Sequence, residues 1–76
     1  MPTILRVGHY RFFFYSNENN EPPHIHIEKD DKTAKFWLEN IGLASNDGFT
    51  GKELKDLHVI IHENQIKLIN AYKEYH

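Results

Sequence analysis

Two histidines, His24 and His26, stand two residues apart in the stretch EPPHIHIEK, residues 21–29, directly behind a proline pair. Imidazole changes charge near neutral pH, so such a pair can act as acid and base, contact phosphate or ligate a metal. In a strand, alternate residues share a face. His24, His26 and Glu28 then lie on one side, with Ile25 and Ile27 on the other. The two histidine Cα atoms are about 6.6 Å apart at the strand rise, so both rings can converge on one ion or one phosphate. Glu28 is about 13 Å from His24 by the same rise, too far to join both histidines on a metal with ligand bonds near 2 Å. A catalytic zinc site takes three protein ligands. The candidates for a third are His9, Glu21, or Glu28 with His26 alone. The remaining alternative is that both are polar residues on the wet face of a strand.

Aromatic residues and cations surround this pair. YRFFFY (residues 10–15) and AKFWL (residues 34–38) are β-forming runs with aromatics on both parities. If the isoleucines point to the core, Arg11, Phe13, Tyr15, Lys35 and Trp37 share the histidine face. Aromatics interleaved with Arg, Lys and His on an open sheet form a stacking platform of the kind single-stranded RNA binders use. The same composition suits the centre of a protein interface, where Tyr, Trp and Arg are favoured.

The elements that position these residues follow from local pattern. Residues 4–7 form a short β-prone run, and Gly8 suits the first central position of a II′ hairpin turn. Residues 10–15 read as a strand and residues 16–23 as a loop of turn residues. HIHIEK alternates as a half-buried strand, DDK turns, and residues 33–38 form another strand. Residues 39–49 read as irregular, with Gly42 and Asn46-Asp47-Gly48 as breakers. Thr50 and Glu53 form a capping box, and Phe49 is placed to staple onto Leu54. Leu54, Leu57, Ile61, Gln65, Leu68 and Tyr72 line one face of a helix reaching residue 75. That helix would run about 35 Å, so its last turns are expected to project or fray. His58 and His62 mark the solvent border of the stripe. The expected fold is α+β: one domain over residues 1–76, a small antiparallel sheet of three to four strands, and one long C-terminal helix packed on one face.

Size and charge bound the function. A 76-residue chain buries roughly 60% of its unfolded surface, which leaves little room for an internal active-site cavity. The net charge is −2 and there is no cysteine. No overall basic field draws the chain to nucleic acid, and thiolate metal sites and disulfides are excluded. The N-terminal residues lack the pattern of a secretory signal, and no apolar run approaches a membrane span of roughly 18 residues. A cytoplasmic location without membrane contact is expected, with no metal and no cofactor.

Together, MPTILRVGHYRFFFYSNENNEPPHIHIEK, AKFWLE and NDGFTGKEL resemble a short bacterial family known as domain of unknown function 4160. The resemblance covers nearly the whole chain, and His24 and His26 match the family's PPHIH pattern. It implies a gene that sits beside another small gene, in a two-gene module of toxin–antitoxin type. It carries over no catalytic residue. Two functions follow as expectations. The first is a binding module that docks a protein partner, the neighbouring gene's product, through the aromatic and basic face of Arg11, Phe13, Tyr15, Lys35 and Trp37. RNA and a second copy of the chain are the other partners considered. The alternative is a compact metal-independent endoribonuclease toxin or RNA-binding protein. There His24 and His26 serve as acid and base, while Arg11 or Lys35 stabilises phosphorane charge.

Overall fold

In the computed structural model, residues 3–16 and 20–76 are described. Residues 17–19, within the expected loop, lie outside them. Five antiparallel strands run in sequence order: β1 (Thr3–Val7), β2 (Tyr10–Phe13), β3 (His24–Lys29), β4 (Lys32–Trp37) and β5 (Leu43–Asp47). Two helices follow, α1 (Gly51–Glu63) and α2 (Gln65–Tyr75). The fold is thus α+β with an antiparallel sheet, as expected, but with one strand more and the helix divided.

The hairpins obey local chemistry. Val7 pairs with Tyr10 across a two-residue turn. Gly8 takes φ +58°, and His9 stays out of the left-handed region, which is the II′ pattern. Lys29 pairs with Lys32, and Asp30 takes φ 56° in that turn. Asp tolerates this region better than most residues do.

β5 corrects the expectation of an irregular segment. Every residue of Leu43–Asp47 is exposed, so no alternation of apolar and polar residues marks it as a strand. Its ladder to β4 holds it, pairing Thr33 with Asp47 and Lys35 with Ser45. The turn before it is unusual, because Ile41, a β-branched residue, takes φ 53° while 8% exposed. Such a residue is rare in the left-handed region, so nothing in its type announces the turn. The Asn40 side chain accepts from the Gly42 N–H at 2.8 Å, and the Trp37 N–H donates to the Gly42 carbonyl at 2.8 Å.

One sheet face and the helices enclose the core. Phe12, Phe14, Ile25, Ile27, Ala34, Phe36 and Leu38 meet Leu57, Ile61, Leu68 and Tyr72. Burying each large aliphatic side chain contributes roughly 1.5–3 kcal/mol. Leu54 is half-buried against this core, and Phe49 is buried in it. Thr50 and Glu53 make the capping box in both directions.

The single long helix is corrected to two. A straight helix of about 35 Å would overrun a body of 30 × 22 × 21 Å. The interruption falls at Asn64, with φ −119° and ψ 16°. Its side chain donates to the Ile60 carbonyl at 2.8 Å, the local competition with helix that Asn side chains offer. Gln65, expected in the apolar stripe, instead donates from its amide to the Leu38 and Glu39 carbonyls at 2.8 and 3.0 Å. These bonds pin the start of α2 to the exit of β4. From there α2 runs back to the sheet, where the Tyr72 hydroxyl donates to the Glu21 carbonyl at 3.3 Å. No helix among the described residues is long and apolar enough to cross a membrane.

Candidate functional site

Both helices pack on the Phe12–Ile27 side, so the other sheet face carries the candidate residues. Register sets its rows. Phe13, His26, Lys35 and Ser45 form one row, and Arg6, Arg11, Glu28, Thr33 and Asp47 form the next. His24 pairs with Trp37 at the end of β3. The sequence therefore assigned face membership correctly for Arg11, Phe13, His26, Lys35 and Trp37. Tyr15 lies just beyond β2, and its ring meets His26 edge-on at 4.6 Å.

Accessibility differs from expectation at two of these positions. His24, expected on the open face, is 1% exposed. Its ring stands edge-on to His26, Trp37 and Tyr72, with centroids 5.3, 5.9 and 5.5 Å away. Nδ1 lies 2.9 Å from the Pro22 carbonyl, which only accepts, so Nδ1 carries the proton. The Glu21 carboxylate is 3.7 Å from the same nitrogen. Tyr72 seals this ring, and α2 brings it there from the far end of the chain. Phe13 is likewise corrected, being 2% exposed. His26 stacks on it at 5.7 Å and 27°, Tyr15 meets it edge-on, and the Arg11 guanidinium lies over it at 4.5 Å. His26 itself is half-buried.

The cations of the face are engaged within the chain. Arg11 donates to Glu28 at 2.8 Å, and its Nε donates to the Thr3 hydroxyl at 2.7 Å. Lys35 pairs with Glu21 and lies over the Trp37 ring at 4.8 Å. Side-chain exposure is 19% for Arg11 and 15% for Lys35, against 41% for both Glu28 and Glu21. The basic character expected of this face is therefore overlaid by carboxylates. Neither pair is legible in local sequence, because Glu21 lies in a loop and Glu28 meets Arg11 across the strand pair.

Three further histidines, His9, His58 and His62, lie elsewhere. His9 is in the β1–β2 turn, at the opposite end of the sheet from His24. It lines an apolar groove of about 480 Å³ with Val7, Tyr10, Val59 and Ile60. His58 and His62 are exposed on α1. Among the described residues no group of three His, Cys, Asp or Glu can hold a metal ion. A second groove, of about 330 Å³, borders the candidate face and is lined by Pro22, Pro23, Trp37, Glu39 and Asn40.

Away from the face, Glu53 joins α1 to the β3–β4 hairpin. Its carboxylate accepts from the Thr50 N–H at 3.0 Å and meets Lys29 and Lys32 at 3.3 Å. The Thr50 bond, and then the two lysines, outweigh partial burial and hold its pKa down to about 2 from 4.5. The capping role was legible in T-x-x-E, but the lysine contacts were not.

A small antiparallel meander with C-terminal helices on one face and an aromatic, ion-paired lattice on the other defines a compact α+β domain. A family model described as "Domain of unknown function (DUF4160)" matches residues 10–73, and the chain belongs to that family. No curated protein and no solved structure matches the chain.

Proposed function

We propose that this chain is a cytoplasmic binding module that docks a protein partner on the outer face of its sheet. The partner is the product of a neighbouring gene in a two-gene, toxin–antitoxin-like module. The observation that carries the proposal is the ordered aromatic lattice on a sheet face opposite both helices. Phe13, His26 and Tyr15 contact one another, and Arg11 and Lys35 lie over aromatic rings. Rings already held in place lose little freedom on binding, and preorganisation of this kind raises affinity. Tyr15, 40% exposed, and the half-buried Trp37 supply residue types favoured as interface anchors. The sheet edges are poorer docking sites. β1 and β5 each contain a register irregularity, a device that discourages strand addition.

The catalytic alternative finds less support. An acid–base pair must reach the substrate, and His24 is 1% exposed with Nδ1 committed to Pro22. The test pairs two assays on purified wild type, Trp37→Ala and His26→Ala: cleavage of total RNA and affinity for the neighbouring gene product. Trp37→Ala is expected to cost about 2 kcal/mol or more of binding as a hot spot. His26→Ala should change binding little, and wild type should leave RNA intact. Cleavage by wild type that disappears in His26→Ala and persists in Trp37→Ala would replace docking with catalysis.

A further inference from the structure

We infer that the partner surface recognised by this face is basic: a segment that presents lysine or arginine to Glu21 and Glu28, beside the rings of Tyr15 and Trp37. The inference rests on the docking face proposed above and goes further by naming the chemistry of what docks there.

The charge order of the face carries it. The sequence places two cations, Arg11 and Lys35, among aromatics, which on composition alone suits a phosphate backbone. In the folded chain each cation lies beneath a carboxylate. Glu28 takes Arg11 across the strand pair, and Glu21 reaches Lys35 from the loop before β3. An incoming molecule therefore meets carboxylates that are more than twice as exposed as the cations below them. A carboxylate has about four lone-pair directions, so one that accepts from Arg or Lys can still accept from a second donor.

The margins add to this. Asp47 is exposed in the same row as Glu28, and exposed Glu39 lines the groove beside Trp37. The exposed cation of that row is Arg6, on the outermost strand. It stands two strands from Glu28, about 10 Å away at the spacing of neighbouring strands. The chain as a whole carries net charge −2. Aromatic side chains next to carboxylates suit a guanidinium or ammonium, which gains from ring faces as well as from the opposite charge. A nucleic acid meets the reverse arrangement. Its phosphates would have to displace Glu21 and Glu28 before they reached Lys35 and Arg11.

Removing the carboxylates has effects of opposite sign for the two kinds of partner, which makes the test decisive. Glu21→Gln and Glu28→Gln are near-isosteric changes of side chains that reach solvent, and each removes the negative charge over a cation. The probes are a nine-residue peptide with three arginines and one tryptophan, a glutamate-substituted peptide of equal length, and a single-stranded RNA of mixed sequence. Each is titrated into the full chain, followed by amide chemical shifts at low and at 0.3 M salt. The basic peptide is expected to bind wild type and to shift amides in β2, β3 and β4 rather than in α1. Each substitution should weaken that binding about threefold to fivefold, the scale of an exposed ion pair. The effect should shrink at high salt. Glu63→Gln on α1 should change nothing.

Tighter or unchanged peptide binding in Glu21→Gln and Glu28→Gln overturns the inference. So does RNA binding to wild type more tightly than the basic peptide, and so does absence of peptide binding. Failure here is distinct from failure of the docking face itself. If Trp37→Ala weakens the neighbouring gene product's binding and the glutamine variants do not, the face stands and its basic specificity falls. If none of the three changes matters, the face falls.

Discussion

The two faces of one sheet are ordered by different forces, although they use alternate residues of the same strands. Ile25, Ile27 and Phe12 are fully buried under α1 and α2, where their side chains are held by apolar burial. On the other side His26, Arg11, Lys35 and Glu28 stay partly exposed and are ordered by pairwise contacts: stacking, cation–π geometry and ion pairs. One face commits its surface to folding, while the other has its rings and charges arranged with Tyr15, Trp37, Glu21 and Glu28 still reaching solvent. His24 belongs to neither side cleanly. It has the parity of the outer face and the burial of the core, because Tyr72 reaches round the end of β3.

This contrast can be broken most strongly at the core. Leu57→Ala, at a fully buried position, should destabilise by roughly 2–5 kcal/mol, measured as the change in urea unfolding free energy. A change below 1 kcal/mol would remove the helix-on-sheet core.

The two histidines come next. His24→Ala should cost roughly 2–3 kcal/mol through lost packing and the lost Pro22 hydrogen bond. His26→Ala should cost less than about 1 kcal/mol, as a partly exposed position does. Equal losses in the two variants would place both rings in one environment.

Smaller still is the coupling between Arg11 and Glu28. A double-mutant cycle with Arg11→Ala and Glu28→Ala should return about 1 kcal/mol or less of interaction energy, as a pair still open to solvent at its carboxylate does. A coupling well above that would mean that the outer face, like the inner one, is chiefly a stability element.

The effect of Glu53 is confined to acid. Its pKa is lowered in the folded chain, so its contribution to stability is complete above its ordinary value of 4.5 and is lost as pH falls towards about 2. Wild type should therefore lose urea resistance across that window, and Glu53→Gln should show a flatter profile there. Parallel acid profiles in the two proteins would argue against the Thr50 and lysine contacts.

Much of this architecture was written in short-range pattern. Alternation assigned Ile25 and Ile27 to the core and His26, Arg11 and Lys35 to the other face. Gly8 marked the first hairpin, T-x-x-E marked the start of α1, and steps of three and four chose Leu57, Ile61, Leu68 and Tyr72. These signals are legible because each depends on residues within one turn or one strand. Strand β5 was not legible, since an exposed edge strand is held by backbone bonds that any sequence can make. The interruption at Asn64 was not legible either, for the Leu38 and Glu39 carbonyls that hold the neighbouring Gln65 lie across the fold.

The same reason divides the candidate site. Parity along β2, β3 and β4 is a property of the chain itself, so local pattern is enough to say which side chains share the outer face. Accessibility is a property of what covers them. Tyr72 of α2 closes over His24, while Glu21 and Glu28 cap Lys35 and Arg11, contacts that exist only once the chain is folded. Two histidines of the same parity are one buried and one half-buried ring, and a face basic by composition presents carboxylates. Burial and charge pairing depend on distances between segments far apart in sequence, and no local period encodes those distances.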